Sequence, residues 1–269
     1  MGSRRLLRFF WPLVLALTAL PACAETKPAA RPGTLEYTEK ARAAYEKAMD
    51  AYQNHDWEAA TLLFNEIKRE YAQTRYARLA ELRLADLAYE QDKLPEAISA
   101  YRTFIQSHRY DPGLAYAHYR VCKSLYGQVS DSLLLPPQEE RDQTAATDAW
   151  KELRRFRAEY PGSQWDAELA YMQQSVTGRL ARHELYVARF YLARGRFEPA
   201  VARLQFTLKT YEDSGLEPEA MVLLGETYLK MKKRDEAREA FQRIIATYPD
   251  SPFAVPARSF LGRINDTNR

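Results

Sequence analysis

The stretch that decides the fold is Pro218–Ser251, PEAMVLLGETYLKMKKRDEAREAFQRIIATYPDS. Its apolar residues recur at the three- and four-residue spacing of one helix face in two successive segments. These positions are Met221, Leu224, Gly225 and Tyr228 in the first segment, and Ala237, Phe241 and Ile244 in the second. Gly225 and Ala237 are small enough to let two helices approach closely, and Pro249 ends the second helix. The stretch therefore predicts one packed pair of helices, A and B.

The same pattern recurs upstream in the chain. Units with matching apolar positions begin at Ala41, Arg78 and Ala181, in addition to the unit at Pro218. The first two starts lie 37 residues apart, and so do the last two. This unit resembles the tetratricopeptide repeat, in which each helix pair buries its apolar face only against its neighbours.

A fifth unit is split by an insertion. Its first helix is predicted at 114–126 and its second at 144–159, and the segment Gly127–Gln143 between them is longer than most helix connections. The following segment, Trp165–Arg194, contains no helix breaker except Gly178, which predicts one long helix running into the fourth repeat. The fold class predicted is all-α, a superhelix of five tetratricopeptide-like helix pairs.

Composition and charge exclude several functions. The chain has 10 glycines, none closer than ten positions to another, so it contains no glycine-rich phosphate loop. It carries 39 basic and 36 acidic residues, and the excess equals the three arginines Arg4, Arg5 and Arg8 near the N-terminus. A protein that binds nucleic acid through its phosphates needs a basic excess, so no nucleic-acid partner is expected.

The N-terminus has the pattern of an export signal. Three arginines precede the apolar run Phe9–Leu20, which is too short to span a membrane. The sequence Leu-Pro-Ala-Cys that ends at Cys23 resembles the bacterial lipobox. We therefore interpret residues 1–22 as a lipoprotein signal peptide, Cys23 as the acylated residue and residues 23–35 as a flexible tether. An ordinary secretory signal cleaved near Ala24 is the alternative.

No catalytic or metal site is predicted. The four histidines are isolated from one another in the sequence, and none belongs to a zinc-binding pattern. Cys122, the only cysteine besides Cys23, is interpreted as a small buried apolar residue. No cofactor is expected, and the chain is predicted not to be an enzyme. A superhelical lytic enzyme would need a catalytic domain in addition to the repeats, which extend to residue 265.

Three stretches resemble one family. They are Ala149–Ser163 (AWKELRRFRAEYPGS), Leu180–Tyr191 (LARHELYVARFY) and Arg194–Arg203 (RGRFEPAVAR). Together with the lipobox, the split repeat and the long helix, they resemble the BamD family, lipoproteins of the outer-membrane β-barrel assembly machine. Phe190 departs from the family pattern, which has a tyrosine there. The resemblance covers roughly 36–250 and implies a lipid-anchored scaffold on the outer membrane that faces the periplasm of a Gram-negative bacterium.

The resemblance also implies a substrate-binding groove in the N-terminal repeats, 36–127. Positions 2, 5, 9 and 12 of helix A line the concave face in this repeat class, and several are aromatic here. The groove residues predicted in this way are Tyr45, Met49, Tyr52, Leu82, Asp86 and Tyr89. Exposed aromatic residues with a polar rim favour partner binding, and the family implies that unfolded β-barrel proteins bind here by their aromatic-ended C-terminal segment. The alternative is that the N-terminal segment folds over this face.

The C-terminal repeats, 128–265, are implied to dock onto BamA through the POTRA domain nearest the membrane. In that comparison Arg203 matches the docking arginine of the family and is expected to reach the helix-B surface. The alternative is an ordinary solvated arginine. Other lipoproteins of the same machine are further possible partners, and the acyl chains on Cys23 would bind the membrane.

Two other functions remain open from the sequence. A periplasmic adaptor of the Tol-Pal type is favoured by the repeat ending Tyr248–Ala254, although such proteins usually carry an N-terminal coiled coil. A pilotin-like lipoprotein that carries secretin subunits would have regular spacing without the insertion Gly127–Gln143. The insertion and the long helix favour the assembly factor.

Overall fold

In the computed structural model the chain is helical throughout the parts that the structure describes, residues 33–129 and 136–266. Eleven α-helices and one short 3₁₀ helix, Gln138–Glu140, occupy these residues. The helices are α1 (Thr34–Gln53), α2 (Trp57–Glu70), α3 (Arg75–Glu90), α4 (Leu94–Ser107), α5 (Leu114–Gly127), α6 (Thr144–Glu159), α7 (Asp166–Ala193), α8 (Phe197–Thr210), α9 (Glu217–Lys230), α10 (Arg234–Thr247) and α11 (Ala254–Asp266). Helices α1 to α10 form the five predicted A–B pairs, and each pair packs on the next, so the predicted all-α superhelix of five tetratricopeptide-like helix pairs is confirmed.

The turns inside the pairs share one geometry. Four of the five A–B connections contain a residue in the left-handed region, at φ between 58° and 67°: His55, Asp92, Gly195 and Lys232. In each turn the next backbone N–H donates to a carbonyl five residues earlier, as from Asp56 to Ala51 at 3.0 Å. Only one of the four residues is glycine, so hydrogen bonding and helix packing determine this turn more than glycine's freedom does.

A small buried residue occupies the same position in the A helix of each pair. Five residues before the end of each A helix the side chain is alanine, cysteine or glycine, and all are buried: Ala48, Ala85, Cys122, Ala188 and Gly225. Cys122 is therefore the small residue of the split third repeat, and the prediction that it is a buried apolar residue is confirmed. Burial raises the pKa of its thiol, which keeps it protonated.

The split repeat and the long helix are also confirmed. Helix α6 has the predicted bounds, and α7 differs by one residue at each end from the predicted segment. The described part of the insertion that precedes α6, residues 136–143, packs on α7, where the His183 imidazole lies 2.7 Å from the Glu139 carbonyl and Arg179 Nε donates to Gln143 at 3.2 Å. His183 thus holds the insertion against the long helix.

Two features differ from the sequence prediction. Helix α1 begins at Thr34, two residues inside the segment predicted as a tether, and Cys23 lies outside the described residues. Helix α11 was not predicted as an element separate from the last repeat. This helix covers the apolar face that α10 would otherwise expose, with Phe260 stacked on Phe241 at 4.9 Å between ring centres.

The closest helix contact gives a stability prediction. A Cβ atom at Gly225 would lie 2.6 Å from the ring of Phe241, which is fully buried under Phe260 and cannot move aside. We expect Gly225→Ala to lower the free energy of unfolding by roughly 1–3 kcal/mol through overpacking. The measurement is urea unfolding followed by circular dichroism.

Gly262 in α11 is the matched control. It is exposed, and a Cβ there meets no atom within 4 Å. Gly262→Ala should leave stability unchanged or raise it by up to about 1 kcal/mol, because alanine is the better helix former. Equal effects of the two substitutions would mean that the predicted repeat register is wrong.

Candidate functional site

The predicted groove residues of α1, two tyrosines and a methionine, are half-buried. The Tyr45 ring packs 5.8 Å from Phe64 and 5.7 Å from Tyr76, between α2 and α3. The Tyr52 ring lies 5.6 Å from Trp57, and Met49 lies between the two tyrosines along the helix. Each of the three predicted residues is anchored on one side and accessible on the other.

Asp86 is not part of an open groove, and that prediction is wrong. Its side chain is only 1% exposed. Oδ1 accepts hydrogen bonds from Tyr101 and, at 2.7 Å, from Tyr116, while Oδ2 accepts one from Arg83 at 2.6 Å. Arg120 lies 3.3 Å from Oδ1. The carboxylate therefore ties α3 to α4 and α5 because α5, the next A helix, packs over it.

The same helix packing buries Leu82, the other residue that was predicted to line the groove and does not. Leu82 is 2% exposed, and its methyl group lies so close to Gly113 that a Cβ there would be 2.9 Å away. The rule that positions 5 and 9 line a groove assumes an open superhelix. Here the α4–α5 connection and α5 itself cover both positions of the second repeat.

The buried charges keep the tyrosines protonated. Burial and the Asp86 carboxylate raise the pKa values of Tyr101 and Tyr116, so both hydroxyls remain hydrogen-bond donors at neutral pH. Burial and the carboxylates of Asp86 and Glu90 also raise the pKa of Tyr52. Tyr52 therefore lies close to the same cluster.

Two arginines that the repeat pattern does not indicate pack against the tyrosines of this region. The Arg120 guanidinium lies 4.1 Å above the ring of Tyr89, a geometry that favours a cation–π contact, and Arg83 lies 5.5 Å from the ring of Tyr116. Arg120 belongs to the split repeat, where no complete repeat pattern assigned a register. We call Tyr45, Met49, Tyr52, Arg83, Tyr89 and Arg120 the N-terminal face, in which Arg120 is only 9% exposed and supports the Tyr89 ring from inside the protein.

Arg203 lies on helix α8 with a side chain that is 45% exposed, so it reaches the helix-B surface, while its docking role stays a prediction. One of its terminal nitrogens lies 3.1 Å from Glu184 Oε2 on α7. Glu184 is only 9% exposed, and Arg203 is its ion-pair partner. The arginine therefore neutralises a buried carboxylate as well as presenting a cation to solvent.

The structure shows neither a metal centre nor a membrane span within its described parts. No group of three His, Cys, Asp or Glu side chains in 33–129 and 136–266 is placed to hold a metal ion. Over the same residues, no helix is both long and apolar enough to cross a bilayer.

The Asp86 cluster gives a second stability prediction. Asp86→Ala would leave the buried Arg120 and the partly buried Arg83 without the Asp86 carboxylate, which costs about 3–5 kcal/mol of unfolding free energy. Chemical unfolding measures the loss. The control is Asp235→Ala, which breaks a pair with Arg238 in which the carboxylate is 91% exposed and should cost less than about 1 kcal/mol. A similar small cost at Asp86 would contradict its structural role.

Comparison with known proteins identifies the family. The YfiO family, described as an outer membrane lipoprotein family, matches residues 38–240. The outer membrane protein assembly factor BamD of Neisseria gonorrhoeae is 24% identical over 242 residues, covering 89% of this chain and 91% of the relative. BamD of Caulobacter vibrioides is 25% identical over 249 residues, covering 92% and 78%.

Solved structures of tetratricopeptide proteins are also similar. The TPR2AB domain of yeast Sti1 is 12% identical, with a TM-score of 0.45 and coverage of 85% of this chain and 84% of that chain. A tetratricopeptide protein of Thermus thermophilus is 21% identical, with a TM-score of 0.35 and coverage of 82% and 98%. Since the YfiO match spans well over half of the sequence, this chain belongs to the YfiO family of outer membrane lipoproteins, and its resemblance to BamD is confirmed.

Proposed function

We propose that the chain is an outer-membrane protein assembly factor: a lipid-anchored periplasmic scaffold that binds unfolded β-barrel proteins and docks onto BamA. The observation that carries this proposal is the YfiO match over 38–240, which includes both the N-terminal face and Arg203. The relatives are named outer membrane protein assembly factors, which supports the same role here. This match favours the assembly factor over the Tol-Pal adaptor and the pilotin-like chaperone.

The chemistry of the N-terminal face supports a peptide substrate. Three half-buried tyrosines and Met49 offer aromatic and apolar contacts, and Arg83 and Arg120 lie beside them. Rings held on one side by packing lose little conformational freedom when a ligand binds the other side. An extended segment that ends in an aromatic residue suits such a surface. In this proposal Leu82 and Asp86 position the face and do not touch the substrate.

Arg203 is proposed to dock onto a POTRA domain of BamA. Its exposed guanidinium can pair with an acidic partner while it remains near Glu184. The two tyrosines to be tested, Tyr45 and Tyr52, lie on α1 of the first repeat, whereas Arg203 lies on α8 of the fourth, so these positions are three repeats apart. Substitutions at such distances act nearly independently.

The membrane anchor gives the first functional prediction. Cys23→Ala should abolish acylation and release a folded protein from the outer membrane, because stable anchoring needs acyl chains that contribute about 0.8 kcal/mol per buried CH₂. Palmitate labelling and membrane fractionation measure the two effects. Cys122→Ala is the control and should keep the label. Absence of label from the wild-type protein would contradict the lipoprotein interpretation.

The two proposed sites give opposite expected results. Tyr45→Ala with Tyr52→Ala should weaken binding of a peptide ending in an aromatic residue, with each lost anchor costing about 2 kcal/mol. For the other site, we combine Arg203→Gln with Glu184→Gln, which avoids leaving a buried carboxylate unpaired. That variant should lose POTRA docking and keep peptide binding. Titration with the peptide and with the POTRA domain measures both.

Matched controls separate these effects from unfolding. Tyr110→Ala with Tyr171→Ala removes two tyrosines that are 98% and 69% exposed outside the N-terminal face, and should change neither titration. Glu184→Gln alone keeps the Arg203 charge and should still dock. If the tyrosine and arginine variants each lose both activities while thermal melts are unchanged, the two-site proposal is wrong. Normal docking by the Arg203 variant would overturn the role of that arginine.

A further inference from the structure

A continuous row of aromatic and basic side chains crosses the helix-B surface beside Arg203. The Arg154 guanidinium lies 4.7 Å from the Trp150 ring on α6. Trp150 packs edge-on against Tyr211 at 5.5 Å, and Tyr211 packs against Phe206 of α8 at 5.6 Å. The row therefore joins two B helices, α6 and α8, through one buried tyrosine.

Arg203 belongs to the same surface. It precedes Phe206 by three residues on α8, so the two side chains are neighbours on one helix face. Its partner Glu184 also lies near Tyr211, since burial and the Glu184 carboxylate raise the pKa of that tyrosine. We call Trp150, Arg154, Arg203 and Phe206 the α6–α8 patch.

Exposure and charge distinguish this patch from ordinary surface. Phe206 is 44% exposed and Arg154 is exposed, although both contact the aromatic row. Arg154 has no carboxylate within 4 Å among the residues that the structure describes, whereas Arg203 is paired with the buried Glu184. The Arg154 guanidinium is therefore more available than that of Arg203 for an ion pair with a partner.

We propose that the α6–α8 patch is a docking surface for an acidic face of a folded protein domain, with Phe206 as the apolar contact and Arg154 as the free cation. This inference rests on the proposed docking of the C-terminal half onto BamA and names the surface that performs it. Tryptophan and arginine are enriched among the residues that dominate protein interfaces. The patch presents two arginines, and the carboxylate that contacts it, Glu184, is buried and neutralised. Charge complementarity therefore calls for a partner surface rich in Asp and Glu.

The test uses the purified full chain and the POTRA region of its BamA partner in a binding titration. Arg154→Glu and Phe206→Ser should each weaken docking about tenfold or more, and Arg154→Lys should retain most of it. Docking of the wild type should weaken with added salt, and this dependence should be smaller in Arg154→Glu. Thermal melts should be unchanged, since both altered side chains are exposed.

The control is Arg109→Glu, which makes the same charge change on an exposed residue of the α4–α5 connection and should not affect docking. If Arg203→Gln with Glu184→Gln abolishes docking while the Arg154 and Phe206 variants dock normally, the patch inference is overturned and the proposed function stands. If none of these variants changes docking, the patch inference and the proposed docking function of the C-terminal half are both wrong. A last outcome concerns vesicles of phosphatidylglycerol. If the wild type binds them, and Arg154→Glu abolishes this binding but leaves POTRA docking unchanged, the patch is assigned to the membrane and the inference is also overturned.

Discussion

The architecture depends on the close approach of helix A and helix B at one small residue in every repeat. Ala48, Ala85, Cys122, Ala188 and Gly225 are the residues that permit this approach. With the two helices in contact, large apolar side chains of the B helices are completely enclosed, as Phe64, Phe104, Phe156 and Phe241 are. The next repeat then packs on the surface of this pair, and the last pair receives α11. A larger residue at one such position would disturb its own pair and the packing of the neighbouring repeat.

Around Asp86, a specific network of hydrogen bonds and ion pairs takes the place of the repeated apolar packing. A buried carboxylate is unfavourable unless hydrogen bonds and opposite charges satisfy it, and here two tyrosines and two arginines do so. The participants come from α3, α4 and α5, so the network fixes the second repeat against the third. Arg120 also contacts the ring of the half-buried Tyr89. The buried network therefore holds the rings of the N-terminal face in place.

Much of the fold could be predicted from the sequence because repeat packing leaves a regular pattern of small and large apolar residues. The 37-residue spacing and the bounds of α6 follow from that pattern. The site was less predictable. Asp86 and Leu82 are buried because the split third repeat packs over them, and that contact cannot be predicted from the sequence of the second repeat alone. Arg120 was missed for a related reason: its role depends on the position of α5 relative to α3, which no spacing within one helix determines.

The two helix layers also separate the proposed activities. Residues of the N-terminal face lie on the A helices α1, α3 and α5, whereas the α6–α8 patch lies on B helices. Because A and B helices form opposite layers of each repeat, a partner docked on the patch leaves the A-helix layer accessible. In the C-terminal half an ion pair links the two layers: Glu184 is buried on the A helix α7 and pairs with Arg203 on the B helix α8. That ion pair restrains the orientation of Arg203, so a partner bound at the proposed docking site would meet a guanidinium already held in place.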